Sequence, residues 1–398
     1  MSDDISRKPD TILTHAGSHP EQNQGAVNPP VYRVSTVVFP TVAAMKGGEN
    51  KPFDTMRYGR TGTPTTFAFE EAMAELDGGY RSIVTCSGQA AITTALGALL
   101  QAGDHALIVD SVYHPTRRYC LEHLARCGVE IEFYDPLIGA GIAALLKDNS
   151  KIVFTESPGS LTFEIQDIPA IAAAAHARGA LVVMDNTWAT GLFFKAFEHG
   201  VDVSVQAATK FIGGHSDSML GVLTCKDEAV WYRIKNWTTY AGMAAGSEET
   251  YLGLRGLRTL GVRMRQHQES GLKIARWLQT RPEVERVIHP ALPGSPGHEL
   301  WKRDFTGAPG LFAVELKPCP QEAVNALIDG LKYFGLGYSW GGFESLILPT
   351  TGAIHRSATR WKPQGPTLRL HIGLEDADDL IADLERGLEH VSKHTNAL

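Results

Sequence analysis

The chain has 398 residues, 43% of them hydrophobic and 20% charged, so it can bury a sizeable core, and its length suggests two or three domains. Its 44 acidic and 37 basic residues leave a net charge of −7, which gives no basic footprint for nucleic acid or for a membrane surface. The start has no apolar signal segment, no apolar run approaches the roughly 18 residues of a membrane span, and the five scattered cysteines form no CxxC pair. We therefore expect a soluble, cytoplasmic protein with free thiols.

The chain divides into three predicted parts. Residues 1–60 are rich in proline, glycine and polar side chains and predict an extended N-terminal arm. Residues 61–256 alternate short apolar runs with helical stretches, which predicts a mostly parallel sheet covered by helices on both faces. Its predicted strands are 82–85, 105–110, 129–134, 151–156, 180–184 and a run beginning at 203, and its predicted helices include 115–126, ended by Gly128, and 168–178, ended by Gly179.

Residues 257–398 predict a smaller C-terminal α+β domain. A long helix is expected over 262–279, and apolar strands are expected over 310–316 and 366–372. The last helix, 377–391, carries Leu380, Leu384 and Leu388 on one face. That stripe predicts packing against a core.

Charged residues lie at or close to the ends of several predicted strands of the central sheet. They are Asp110, Glu156, Asp185 and Lys210. Ligands of parallel sheets bind beyond the carboxyl ends of the strands. A lysine that forms a Schiff base and an aspartate that pairs with a pyridinium nitrogen are what pyridoxal phosphate (PLP) chemistry requires. Taken singly, Lys210 and Asp185 are better explained as an ordinary surface lysine and a strand-end aspartate, and the pair gains weight only from what surrounds it.

Two glycine motifs suggest different ligands. Ser87-Gly88-Gln89 follows a strand and opens an alanine-rich helix, where free N–H groups favour a phosphate, although an ordinary helix capped by Ser87 has the same pattern. Gly139-Ala140-Gly141 matches the start of a dinucleotide-binding motif and would support a nicotinamide-dependent dehydrogenase. It does not directly follow a strand and its helix would be short, so we predict a loop followed by a helix start.

Arg369 lies within an otherwise apolar predicted strand. A buried arginine needs a carboxylate partner, because an unpaired charge in the interior is costly. The partner can be an acid of the protein or the carboxylate of a substrate. The sequence leaves both alternatives open.

Motifs spread along the chain are similar to those of the Cys/Met-metabolism PLP-dependent enzymes, a branch of fold type I, and most closely resemble its bacterial cystathionine β-lyases. They are Tyr58-Gly59-Arg60, Tyr113-His114-Pro115, Glu156-Ser157-Pro158-Gly159-Ser160, Asp185-Asn186-Thr187-Trp188, Ala207-Ala208-Thr209-Lys210, His289-Pro290-Ala291-Leu292-Pro293, Ser339-Trp340-Gly341-Gly342 and Leu368-Arg369-Leu370-His371. The resemblance covers nearly the whole chain. It implies PLP as the cofactor. The histidines have no spacing typical of metal ligands, so we predict no metal site.

The resemblance also implies catalytic roles. Lys210 would be the Schiff-base lysine and the general base, Asp185 would pair with the pyridine nitrogen, and Tyr113 would stack on the cofactor ring. Arg369, with Ser339 and Trp340, would bind the α-carboxylate of the substrate.

The implied phosphate site combines two subunits. Gly88, Gln89 and Thr209 would hold the phosphate from within one subunit, whereas Tyr58 and Arg60 would come from its neighbour, with Tyr58 also near the substrate. A homodimer would then be the smallest catalytic unit, and the family usually forms homotetramers. This chain departs from the family in its Ser87-Gly88-Gln89 turn and in Ala207, where many members have serine.

The implied reaction is cleavage of L-cystathionine to homocysteine, pyruvate and ammonia in methionine biosynthesis. Trp340 follows Ser339 here, and the Ser-Trp-Gly pattern is similar to that of β-lyases, whereas γ-lyases and γ-synthases have Ser-Leu-Gly. Related PLP enzymes that act on other sulfur amino acids stay as alternatives: cysteine-S-conjugate β-lyase, cysteine desulfhydrase and γ-lyase. A non-enzymatic binding protein would give Lys210 and Asp185 no purpose.

Overall fold

The computed structural model describes residues 7–47 and 53–395 and contains two β-sheets. The larger sheet has seven strands in the order β1-β7-β6-β5-β4-β2-β3. These strands are β1 (Arg81–Thr85), β2 (His105–Val109), β3 (Glu130–Tyr134), β4 (Ser150–Glu156), β5 (Leu181–Asp185), β6 (Val203–Gln206) and β7 (Gly221–Cys225). Strands β2 to β6 pair in parallel, and β7 runs antiparallel to both β6 and β1. The predicted mostly parallel α/β sheet is confirmed.

Helices cover this sheet. Every residue of β2 and β7 is buried, because both faces of the sheet are packed. The helices of this part are α3 (Pro64–Asp77), α4 (Gly88–Leu99), α5 (His114–Tyr119), α6 (Ile168–Ala177), α7 (Thr190–Phe193), α8 (Glu228–Ala241) and α9 (Ser247–Leu257). Helix α3 starts with a capping box formed by Thr63 and Thr66, and Pro64 occupies its first turn.

The predicted helix 115–126 is interrupted. Helix α5 ends at Tyr119 and continues as a π-helical turn, Cys120–Leu124, and a 3-10 turn, Ala125–Cys127. Gly128 then ends it at φ +85°, in the left-handed region that favours glycine. Gly179 at φ +71° likewise follows α6, so both predicted stops are confirmed.

The smaller sheet lies in the C-terminal part and has the order β10-β11-β12-β9-β8. Its strands are β8 (Val284–Ile288), β9 (Leu311–Leu316), β10 (Gly335–Leu336), β11 (Leu346–Pro349) and β12 (Thr367–His371). The helices are α10 (Leu260–Leu278), α11 (His298–Asp304), α12 (Gln321–Asp329) and α13 (Ala377–Thr395). Leu380, Leu384 and Leu388 are buried in the core of this part, as their spacing predicts.

Helix α10 connects the two parts. Its residues Leu260 and Met264 belong to the core of the large sheet, whereas Ile274 and Leu278 belong to the core of the small one. The predicted boundary at residues 256 and 257 therefore falls at the end of α9, immediately before a helix that both cores share.

The N-terminal segment includes two short helices, α1 (Pro9–His15) and α2 (Val42–Gly47). Leu13 of α1 is buried in the large core, and Arg258 donates hydrogen bonds to the carbonyl oxygens of Leu13 and Ala16. This end of the predicted arm is thus fixed to its own subunit. Among the helices that the structure describes, none combines the length and apolar character needed to cross a lipid bilayer.

Candidate active site

The carboxyl ends of the central strands bring the predicted acidic and basic groups together. Glu156 and Asp185 are the last residues of β4 and β5 and face each other as register partners. Strand β6 ends at Gln206, so Lys210 lies in the turn after the strand rather than at its last position. That turn is closed by a hydrogen bond from the Lys210 N–H to the Ala207 carbonyl (3.0 Å).

The amine of Lys210 reaches a loop of the C-terminal part. Its Nζ donates to Ser339 Oγ at 2.7 Å and lies 5.1 Å from the centre of the Trp340 ring. Burial and the positive charge of Arg369 lower the pKa of Lys210 to about 8, against the opposing effect of Asp185. A lysine with this pKa is partly neutral at physiological pH and can act as a nucleophile or a base.

Asp185 and Tyr113 lie in the same electrostatic environment. Burial raises the pKa of Asp185, whereas hydrogen bonding by Thr187, whose N–H lies 3.0 Å from Oδ1, and the charge of Lys210 oppose that rise. Tyr113 precedes α5 and is 46% exposed, and its partial burial together with the charges of Asp185 and Glu156 raises the pKa of its phenol. The charge of Asp185 thus acts on both Tyr113 and Lys210.

Arg369 lies in β12 and is 8% exposed. Its Nη2 donates to the carbonyl oxygens of Tyr338 (2.9 Å) and Gly337 (3.3 Å), and its Nε is buried without a hydrogen-bond partner. No ion pair joins Arg369 to a carboxylate among residues 7–47 and 53–395. A guanidinium oriented by carbonyl groups and left without an acid can bind a carboxylate from a ligand. This favours the second of the two alternatives left open by the sequence.

The turn before α4 has the features of an anion site. Ser87 caps the helix by accepting from the Ala90 N–H at 3.0 Å. The N–H groups that precede Ala90 at the start of the helix have no acceptor within the helix, so they can bind an anion. A Cβ on Gly88 would lie 2.4 Å from the Cβ of Ala207, so no larger residue fits there. Gly88 and Gln89 could therefore hold a phosphate beside the Lys210 turn.

Thr209 is engaged with the protein itself. Its hydroxyl donates to the Leu220 carbonyl at 3.0 Å and accepts from the Leu220 N–H at 2.8 Å. The hydroxyl proton is thus directed at the backbone, so its predicted contact with phosphate would require this bond to rearrange.

Tyr58 and Arg60 lie elsewhere on the same subunit. Tyr58 is 45% exposed and forms an isolated bridge with Thr36, and Arg60 Nη1 donates to the Thr239 carbonyl at 2.7 Å. The hydrogen bonds of the described residues therefore do not connect these two side chains to Lys210.

Two residues that support Lys210 were not found from the sequence. Gly341 has φ +91°, and a Cβ on it would lie 2.7 Å from Phe211 N and 2.8 Å from the Lys210 carbonyl carbon. Arg263 of α10, 6% exposed, donates to the carbonyl oxygens of Phe211 and Ile212 and so fixes the chain just after Lys210. The glycine pair after Trp340 is a sequence signal for Gly341, whereas nothing in the α10 pattern marks Arg263.

The dinucleotide-like motif does not form a nucleotide site. Gly139–Ala144 is a 3-10 helix that packs on α6, not a helix that directly follows a parallel strand. The expectation of a loop followed by a helix start holds, and the dehydrogenase alternative loses its structural basis.

Comparison with known proteins agrees with this geometry. The profile of the Cys/Met metabolism PLP-dependent enzymes matches residues 10–389. The chain is 46% identical to the cystathionine beta-lyase of Escherichia coli, covering 97% of this chain and 99% of that protein, and 35% identical to the cystathionine gamma-lyase of Mus musculus, covering 95% and 94%. The crystal structure of cystathionine gamma synthase from Xanthomonas oryzae superposes with a TM-score of 0.90 at 32% identity, covering 98% and 100%. The chain therefore belongs to the Cys/Met-metabolism family of PLP-dependent enzymes.

Proposed function

We propose that the protein is a carbon–sulfur β-lyase that cleaves L-cystathionine with water to homocysteine, pyruvate and ammonia, in methionine biosynthesis. The main support is the amine of Lys210, which has a lowered pKa and lies 2.7 Å from Ser339 Oγ. The same site contains the guanidinium of Arg369, which has no carboxylate partner among the described residues. The higher identity to a cystathionine beta-lyase (46%) than to a cystathionine gamma-lyase (35%) supports β-elimination.

The residues present fit the cofactor. Lys210 would carry it covalently, Asp185 would face its pyridine nitrogen, and Tyr113 would stack on its ring. Gly88 and Gln89 would hold its phosphate, and Thr209 would join them once its hydrogen bond to the Leu220 carbonyl has rearranged. The close approach of Gly88 to Ala207 and the free N–H groups in the first turn of α4 support this assignment. When bound, PLP supplies the electron sink for the pair left at Cα after proton removal.

Substrate orientation depends on Arg369. Its free Nε and its Nη groups can bind both oxygens of the α-carboxylate, while the Ser339-Trp340 backbone contacts the same group. This contact directs the Cα–H bond towards the amine of Lys210, because Ser339 Oγ holds Nζ in the same region.

Lys210 moves the proton. The amine with a pKa near 8 is partly neutral, so it takes the proton from Cα and can then deliver it to the sulfur that leaves from Cβ. Hydrogen bonding by Thr187 and the charge of Lys210 favour the ionised form of Asp185, which would supply the negative charge that the pyridine nitrogen requires. The thiol product departs as a neutral group, and no external acid is needed.

The positions of Tyr58 and Arg60 support an assembly of more than one subunit. Because no hydrogen bond joins either side chain to Lys210 among the described residues, we propose that they complete the phosphate and substrate site of a neighbouring subunit in a homodimer, with a homotetramer as the full assembly. The five free cysteines support a cytoplasmic location. The proposed arm, residues 1–60, would carry Tyr58 and Arg60 into the site of the neighbouring subunit.

The first experiment is an absorbance spectrum followed by product analysis with L-cystathionine. A visible-edge band that borohydride abolishes, with pyruvate and a new thiol, is expected. 2-Oxobutyrate instead would indicate γ-elimination, and turnover of cysteine or its S-conjugates alone would indicate one of the related β-lyases or desulfhydrases. Lys210→Ala should lose both the band and turnover; if it keeps either, the assignment of Lys210 is wrong.

A further inference from the structure

Glu156 is a second carboxyl group in the site, and the proposed mechanism gives it no role. It ends β4 as the register partner of Asp185, which ends β5, and register partners on parallel strands project to the same side of the sheet. Two carboxyl groups so placed repel each other when both are ionised. One of them must therefore be stabilised in its uncharged form or be paired with a cation.

Asp185 is the better placed of the two to stay ionised. It accepts hydrogen bonds from Thr187 and is stabilised by the charge of Lys210. Glu156 has no ion pair with a lysine, arginine or histidine among the described residues, and its one side-chain hydrogen bond is from the backbone N–H of Tyr113. Burial and Asp185 raise the pKa of Glu156 well above its ordinary value, and the Tyr113 bond only partly opposes this.

The contact with Tyr113 defines what Glu156 holds in place. Oε2 accepts from the Tyr113 N–H at 2.7 Å, and the Tyr113 carbonyl accepts from the Arg117 N–H at 3.1 Å. Tyr113 has no helical hydrogen bond for its own N–H, since it stands immediately before α5. The carboxyl group thus fixes the backbone from which the Tyr113 ring extends.

We propose that Glu156 is a positioning residue that acts as an uncharged acid. Its carbonyl oxygen holds Tyr113, and its neutrality leaves Asp185 as the single negative charge of the strand-end pair. The positioning role rests on the proposed function, because a fixed Tyr113 ring matters only if that ring stacks on the cofactor. Whether Glu156 is protonated does not depend on the proposed function.

The proton can be observed directly. The infrared difference spectrum of wild-type holoenzyme minus Glu156→Gln at pH 7 should show the carbonyl stretch of a protonated carboxyl group. The control, wild type minus Glu130→Gln, should show only carboxylate bands, because Glu130 is an exposed group ion-paired with Lys147 at 2.7 Å. Absence of the protonated band in the first difference would overturn the uncharged state.

Two further readouts test the charge and the positioning. Glu156→Gln keeps an acceptor for the Tyr113 N–H. If Glu156 is uncharged, this variant should leave the pH midpoint of the visible-edge band unchanged. If Glu156 were ionised, removing its negative charge would lower that midpoint by roughly one pH unit or more. Glu156→Ala removes the acceptor and should lower kcat/KM roughly 10- to 100-fold, mainly in kcat, with Gln restoring most of the rate. Equal rates for Ala and Gln would exclude positioning.

These outcomes are separable from those of the proposed function. A wild-type protein without a visible band or without keto-acid product would refute the lyase assignment and leave the infrared result intact. If Glu156→Ala does not fold, Glu156→Gln and Glu156→Ser provide the same comparison, because serine is too short to reach the Tyr113 N–H. If kcat/KM then falls as far in Glu156→Gln as in Glu156→Ser, the positioning role of Glu156 is excluded.

Discussion

Gly341→Ala tests how the C-terminal loop is fitted against Lys210. Gly341 has φ +91°, and an added Cβ would lie 2.7 Å from Phe211 N, 2.8 Å from the Lys210 carbonyl carbon and 2.9 Å from the Lys210 Cα. All three are backbone atoms. They cannot move aside as a side chain would, because Gly214 N–H bonds the Lys210 carbonyl at 2.8 Å and Arg263 holds the Phe211 carbonyl.

Gly103→Ala is the matched control. Gly103 has φ +89°, but an added Cβ would meet nothing within 4 Å, and it lies at the opposite ends of the central strands, before β2. Both variants incur the cost of an L-residue at positive φ, about 1–2 kcal/mol. Only Gly341→Ala adds a clash with fixed backbone, worth about 1–3 kcal/mol more.

The assay combines urea unfolding with steady-state kinetics. Gly341→Ala should unfold with a free energy lower than that of Gly103→Ala by about 1–3 kcal/mol. Because Ser339 and Trp340 would move away from Nζ, kcat/KM should fall on the order of 100-fold, against little change in Gly103→Ala. Equal stability and equal kcat/KM in the two variants would refute the claim that this close approach positions Lys210.

Three further predictions concern charge and hydrogen bonding. Arg369→Lys should raise KM and lower kcat/KM by about 100-fold in steady-state assays, because an ammonium cannot bind both carboxylate oxygens in one plane. Ser339→Ala should lower kcat roughly 10-fold without loss of the visible band, since only the hydrogen bond to Lys210 Nζ is removed. Burial raises the pKa of Asp77 to about 6 from 3.8, so the Asp77 carboxyl stabilises the fold fully below pH 3.8 and loses that contribution as the pH rises through 6. In urea titrations, Asp77→Asn should thus raise the free energy of unfolding at pH 8 by up to about 3 kcal/mol and change it little at pH 4. The new amide can donate to Gln206 Oε1, which is buried without a partner.

The central strands were predictable because they are parallel and buried. Strands such as β2, in which all five residues are buried, give continuous apolar runs in the sequence. The stops at Gly128 and Gly179 were also predictable, since both occupy the left-handed region after a helical segment. Local chemistry was sufficient for these features.

The interruption after α5 and the geometry around Lys210 were not predictable in the same way. The π-helical turn Cys120–Leu124 keeps a helical composition, so no residue type signals it. The approach of Gly341 to Lys210 and the hold of Arg263 on Phe211 join segments that are distant in the chain. Contacts of this kind depend on how the two sheets are placed, and a single sequence has no local pattern for that.

The acids at the strand ends show why position alone does not assign a role. Asp110 follows β2 and looks equivalent to Asp185 in the sequence, yet its carboxylate accepts from the N–H groups of Ser357, Ala358 and Thr359 and pairs with Arg117. Every oxygen of Asp110 is occupied by the protein, so it fixes a loop and has nothing left for a ligand. Among the residues that the structure describes, Asp185 accepts from Thr187 alone, and Arg369 keeps a buried Nε without a partner. A buried charged group without a partner destabilises the protein. Such a group is kept where a bound ligand supplies the missing partner.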